Sequence, residues 1–293
     1  MSDQTPISRR QFTGASLAAG FAAASGSGGA RGGSAAAHEA MVTEVEIKTP
    51  GGVCDASLAQ PGGQGQWPGV ILFVDAFGLR PAMRDMARRL AQNGYTVLVP
   101  NPYYRSAKAP GLPSGFSFSN PQHREQLAAL RALLTAEAVT ADARAYVAFL
   151  DTQGSVKKSA KMGVVGYCMG GPMTLRAAAA LPNRVGAGAS FHGGGLVTDK
   201  PDSPHLLVPQ IKASYYFGVA ANDDANEPEA KTGLREAFDA AGLPAKIEVY
   251  AGCLHGWCVK DMPQSPDGKP IYDEAQAERA WNELIALYKQ SLV

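Results

Sequence analysis

The chain has 293 residues, 45% of them hydrophobic and 18% charged, and a formal net charge of +1. That is enough chain for one large domain with a buried core, and the near-neutral balance without any basic run argues against a nucleic-acid or anionic-membrane binder. Four cysteines are too few for a disulfide framework at this length. With no Cys-x-x-Cys and no histidine pair at ligand spacing, neither a metal nor a cofactor is expected, and the partner is read as a small molecule.

Residues 1–37 read as an export signal and linker. Ser8-Arg9-Arg10-Gln11-Phe12 is a twin-arginine sequence, and the weakly apolar Leu17 to Ala24 that follows is too short and too rich in Ala and Gly for a stable membrane anchor. The small-residue tract Ala35-Ala36-Ala37 places a mature start near His38. The expected route is the twin-arginine export machinery, and the expected location is periplasmic or secreted. Residues 38–293 then form a single domain.

That domain opens with alternation, Val42, Val45 and Ile47 against Thr43, Glu44 and Lys48, the period of a half-buried strand. Val53 to Ala59 returns after the Gly51-Gly52 turn, which predicts an N-terminal β-hairpin. Next come short apolar runs: Val70 to Val74, Thr96 to Val99, Met162 to Val165, Val185 to Ser190, Tyr215 to Phe217 and Ile247 to Tyr250. Runs with so little alternation are expected of strands covered on both faces.

Helical periods lie between the strands. Pro81 to Gln92 begins with proline in its first turn and ends at Asn93-Gly94, a left-handed stop. Asn120-Pro121 opens a long helical region that reaches Leu150 across a break. Pro172 to Leu181, Pro228 to Ala241 and Tyr272 to Leu292 complete the set. Alternating strands and helices predict an α/β fold with a mainly parallel sheet flanked by helices. Tyr103 to Ser119, rich in Pro, Gly and Ser, is too long for a plain connector and reads as a lid or binding loop.

The chemistry centres on Gly166-Tyr167-Cys168-Met169-Gly170-Gly171, which follows an apolar strand and precedes a helix. Glycines on either side of the cysteine permit a sharp turn that lifts the sulfur above the carboxyl end of the sheet, and the helix N-terminus beyond it favours a thiolate. In chain order nucleophile, acid, histidine, the partners are Asp223 or its neighbour Asp224, with Asp223 preferred, and His255, each just past a core strand. His255 is expected to take the thiol proton while the aspartate fixes its tautomer. Two N–H donors are needed for a developing oxyanion, and Ala76 and Met169 are expected to supply them. His192, between a strand and Gly193-Gly194-Gly195, is expected to contact substrate. Cys253 and Cys258 flank His255, and whether they are bridged stays open at this point.

These segments, with Asp75-Ala76-Phe77-Gly78 ahead of an arginine-bearing helix and the elbow Gly-Tyr-Cys-x-Gly-Gly, resemble the dienelactone hydrolase family of α/β-hydrolases over essentially all the chain after residue 37. The resemblance implies an α/β-hydrolase fold and cleavage of a small, dienelactone-like ester or lactone through a thioester on Cys168. It also implies that Asp75 contacts the thiol and helps to deprotonate it, with aspartate standing where the family has the longer glutamate. Arg124 matches the arginine that binds a substrate carboxylate. A second family arginine falls on Val259, beside Lys260. The competing reading is a non-catalytic binding protein or thiol redox sensor on the same scaffold. A glutamine amidotransferase is disfavoured, because Gly256-Trp257 follows His255 where those enzymes carry His-x-Glu.

Overall fold

The structure, a computed structural model, describes residues 39–293, so the twin-arginine segment and His38 lie outside the described residues. Strands β1 (Ala40–Thr49) and β2 (Gly52–Pro61) pair antiparallel from Ala40↔Pro61 to Thr49↔Gly52, which is the expected hairpin. Its first strand alternates in burial and its second is mostly buried, so β1 forms the outer edge of the sheet.

Next come β3 (Gly69–Phe73), α1 (Pro81–Gln92), β4 (Thr96–Pro100), α2 (Pro121–Ala132), α3 (Ala136–Thr152), β5 (Met162–Tyr167), α4 (Gly170–Ala180) and β6 (Val185–Phe191). After a 3-10 turn at Pro204–Gln210 the chain continues through β7 (Ser214–Ala220), α5 (Ala221–Asn226), α6 (Ala230–Ala240), β8 (Ala245–Tyr250) and α7 (Glu274–Ser291). The eight strands lie in the order β1-β2-β4-β3-β5-β6-β7-β8, parallel from β4 to β8. The fold is of α/β-hydrolase type.

Strands β3, β4 and β5 are buried along their whole length, and alternate residues serve two different cores. Ile71 and Phe73 join Leu98, Val164 and Leu175 on the face of α3 and α4, whereas Val70 and Leu72 join Val97, Val165, Leu90 and Leu284 on the face of α1 and α7. Truncation of such a residue, Leu72→Ala for instance, costs about 2–5 kcal/mol through lost transfer energy and the cavity left behind.

Local signals account for most boundaries. Asn120 Oδ1 accepts from Gln122 N at 2.9 Å and Thr135 Oγ1 from Ala138 N at 3.2 Å, so the long helical region divides into α2 and α3 at a capped restart. Helix α4 starts before Pro172, at Gly170, because the chain turns from strand to helix within the elbow itself. Helix α5, six residues without an apolar period, and the 3-10 turn at Pro204–Gln210 are not among the expected elements.

Candidate active site

Every parallel strand ends at the same edge of the sheet, and the candidate residues gather there. Cys168 is the first residue after β5 and has φ +53°, a left-handed backbone carried by a side chain other than glycine. The turn is held because Cys168 N donates to Phe191 O at 3.1 Å and Gly171 N to Cys168 O at 3.0 Å. The flanking glycines do something other than supply positive φ. A Cβ on Gly166 would run into the Gly170 carbonyl, and one on Gly170 into Phe73 O of β3. Only glycine lets α4 start so close to the strands, and that approach forces the strain onto the cysteine.

His255 sits in the loop after β8. Its Nδ1 lies 2.8 Å and 3.0 Å from the two carboxylate oxygens of Asp223, in the first turn of α5, and its backbone N–H donates to Asn222 Oδ1 at 2.8 Å. Asp224 points elsewhere and pairs with Lys231 at 2.7 Å. Of the two aspartates left open by the sequence, Asp223 is therefore the one that orients the histidine. Burial works against the charged ring, but the hydrogen bond it donates to Asp223 and its interaction with Cys168 outweigh it, and His255 is pushed up to about 10. Together these groups hold the His255 ring between a carboxylate and a sulfur.

Ala76 and Met169 lie just beyond the ends of the paired strands β3 and β5. In their turns Phe77 N donates to Asp75 Oδ1 at 2.9 Å and Gly78 N to Asp75 O at 3.1 Å, and the N–H groups of Ala76 and Met169 take no part in these bonds or in those of the elbow. Tyr103 was not foreseen. Its hydroxyl donates to Ala76 O at 2.7 Å and meets Met169 Sδ at 3.5 Å, so a single phenol braces both residues of the expected oxyanion hole.

Asp75 departs from its expected role. Its carboxylate is buried and takes two guanidinium donors from Arg80, at 2.7 and 2.9 Å, besides the Phe77 N–H. Among the hydrogen bonds of the described residues it makes none to Cys168. Burial pushes its carboxyl up, and Arg80 pulls in the opposite direction. The shorter aspartate is thus anchored to a local cation, where it shapes the turn that carries Ala76. Arg80 also holds Asp261 through two bonds of 2.8 Å, which joins this turn to the loop that carries His255.

His192 is a second correction. It has φ +42°, is fully buried, and stands edge-on to the His255 ring at 4.7 Å and to Trp257 at 5.5 Å. Among the described residues neither ring nitrogen has a hydrogen-bond partner. Burial and then the charge of His255 push it well below its ordinary value, so it stays neutral. It backs the His255 ring and is not open to a substrate in this structure.

Arg124 lies on the exposed side of α2, its Nη1 donating to Phe118 O at 2.6 Å. The irregular Tyr103–Ser119 segment that it tethers leans on the turn after β3. Phe116 and Phe118 meet Phe77 edge-on at 5.7 and 5.6 Å, and His123 stacks on Phe116 at 5.5 Å. An aromatic cluster therefore stands on Phe77, next to Ala76, and Arg124 tethers its Phe118. Val259 is buried and offers no second cation, while Lys260 is exposed. All four cysteines are free, including Cys253 and Cys258.

Residues 54–292 match the family model described as the Dienelactone hydrolase family. A Methylorubrum extorquens protein named "Putative carboxymethylenebutenolidase" is 30% identical over 293 residues, which cover 98% of this chain and 94% of that one. A Synechocystis protein of the same name is 30% identical over 241 residues, 80% of this chain and 91% of the other. In fold, the chain superposes on the crystal structure titled "Putative Dienelactone Hydrolase from Klebsiella pneumoniae" with a TM-score of 0.71 at 24% identity, covering 86% of this chain and 99% of that one.

Proposed function

Since the chain belongs to the dienelactone hydrolase family and is an ester or lactone hydrolase, we propose that it opens a small ester or lactone through a thioester on Cys168. His255 draws the thiol proton and Asp223 holds the resulting imidazolium in its tautomer. The Cys168 sulfur attacks the carbonyl carbon, and the N–H groups of Ala76 and Met169 receive the charge that develops on oxygen. When the tetrahedral intermediate collapses, the C–O bond breaks and His255 gives its proton to the departing oxygen. Water, deprotonated by His255, then attacks the thioester, the carboxylic acid leaves, and the thiol is restored.

The observation that carries this reading is the strained backbone of Cys168 beside the His255–Asp223 pair. A buried structural thiol gains nothing from a left-handed cysteine or from a histidine whose proton is held by a carboxylate. The substrate reading is a compact, dienelactone-like molecule with an apolar face toward Phe77, Phe116 and Phe118 and a carboxylate toward Arg124 at the rim, which parallels the names of the relatives. The test incubates the protein with p-nitrophenyl acetate and with a dienelactone, and follows Cys168 by mass spectrometry. Turnover with a mass gain at Cys168 supports the reading, and its absence in folded protein overturns it.

The same proposal extends to location, carried by Ser8-Arg9-Arg10-Gln11-Phe12. Residues 1–37 direct the domain through the twin-arginine route to the periplasm or beyond. Fractionation of cells expressing the full chain and its Arg9→Lys, Arg10→Lys variant checks it. Equal export of the two refutes it.

A further inference from the structure

On the face of the sheet opposite α4, a cavity of about 600 Å³ opens between α1 and α7. Neither Cys168, Asp223 nor His255 lines it, although Cys258, Lys260 and Asp261 of the stretch after His255 do. The size suits a small organic ligand, for which pockets of roughly 300–1,000 Å³ are usual. Its floor is aromatic, made by Tyr167 and Phe191 from the ends of β5 and β6, and its walls carry Met86 of α1 with Ala280 and Trp281 of α7.

The charges decide the ligand's sign. Each lining carboxylate is already matched by an arginine. Asp85 pairs with Arg88, Asp261 with Arg80 at 2.8 Å, and Glu278 with Arg89 at 2.5 and 2.8 Å. The Arg89 guanidinium also lies over the Trp281 ring at 4.1 Å, so that aromatic face already holds a cation. Among the described residues, Lys260 is the lining cation without an ion pair. An aromatic floor, apolar walls and one ammonium that acts on Glu278 without forming an ion pair are complementary to a planar apolar body bearing one negative charge.

We propose that this cavity is a second binding site, separate from the catalytic residues, for a small aromatic carboxylate whose ring rests on Tyr167 and Phe191 and whose carboxylate meets Lys260 Nζ. The site stands whether or not Cys168 is the nucleophile, since it shares no residue with the triad.

The test measures binding of 2-naphthoate and of neutral 2-naphthamide by calorimetry to the full chain and to the Lys260→Gln, Ala82→Trp and Cys168→Ala variants. In Lys260→Gln the naphthoate Kd rises at least tenfold while naphthamide binding is unchanged. Ala82→Trp, which projects a ring into the cavity, abolishes both. Cys168→Ala binds naphthoate as the parent does, which keeps this result apart from any failure of the ester-cleavage reading. Absence of naphthoate binding to the parent, equal affinity in parent and Lys260→Gln, or tenfold weaker binding to Cys168→Ala overturns the proposal. Should Ala82→Trp not fold, a crystal of the parent complex decides the position of the ring. Density between α1 and α7 supports the site, and density at Cys168 alone overturns it.

Discussion

Exchange of Asp223 for asparagine tests the catalytic pair at the point where geometry makes the largest claim. The histidine loses a carboxylate 2.8 Å from Nδ1. A hydrogen bond to a charged group contributes about 1.5–3 kcal/mol against about 0.5–1.5 for a neutral one, and the difference of about 1–2 kcal/mol corresponds to roughly 5–30-fold in rate. An asparagine amide that turns its NH₂ toward Nδ1 also imposes the wrong tautomer, so the loss in kcat/KM is expected to be at least tenfold. The pH profile carries a second signature. His255 is raised to about 10 in part by Asp223, so its charged form persists from neutral pH upward and is lost as pH rises through that value. Without the carboxylate the alkaline limb moves to lower pH. The assay is hydrolysis of p-nitrophenyl acetate between pH 6 and about 10.5, corrected for spontaneous cleavage, with Asp224→Asn as the control. Asp224 is engaged by Lys231 in a partly exposed pair of the kind that contributes about 0–1 kcal/mol, so the control keeps both rate and limb. An Asp223→Asn enzyme within twofold of the parent and with an unmoved limb would refute the assignment.

Other outcomes follow from named contacts. Arg80→Ala leaves Asp75 buried and unpaired at a cost of about 3–5 kcal/mol. Calorimetry should show Tm lower by roughly 6–20 °C, with part of it recovered in the Asp75→Ala, Arg80→Ala double variant; a single variant as stable as the double would contradict the clamp. Tyr103→Phe keeps the ring but releases Ala76 O and Met169, so kcat should fall roughly 5-fold, for about 1 kcal/mol of lost positioning, with KM little changed. A purely KM effect would argue against a bracing role. His192→Phe removes two unsatisfied ring nitrogens whose burial costs about 1–3 kcal/mol each while keeping a ring behind His255. Urea unfolding should find the variant as stable as the parent or more so, and a clear loss would mean that the imidazole nitrogens are bonded.

The sheet was legible because β3 to β7 are short apolar runs set between helical periods, and their doubly covered setting leaves little else that such runs could be. Cys168, Asp223 and His255 were legible because each lies just beyond a strand, so their convergence follows once the strands are parallel. What could not be read depends on side chains reaching across long separations. Nothing in Asp75-Ala76-Phe77-Gly78-Leu79-Arg80 says that the arginine five residues on will capture the aspartate and keep it from the thiol. Tyr103 stands in an irregular segment without periodicity, and only tertiary packing brings its hydroxyl to Ala76. The helix that presents Asp223 is too short and polar to announce itself. His192 looked like a pocket residue because it follows a strand, but its left-handed backbone turns the ring inward, and a backbone angle has no trace in residue type.

Arg80 has a bearing on how the enzyme comes into being. Its guanidinium joins the turn after β3 to Asp261, 181 residues further along the chain, and His255 precedes Asp261 in the same loop. During synthesis the cysteine elbow is complete long before its histidine exists, and contacts between such distant segments close late because the loop entropy must be met first. A nascent or truncated chain therefore carries an elbow without His255 and a turn after β3 with half of its Arg80 clamp. Catalytic competence arrives with the last strand and helix, and the appearance of ester cleavage during refolding is a clock for the final docking of the C-terminal segment.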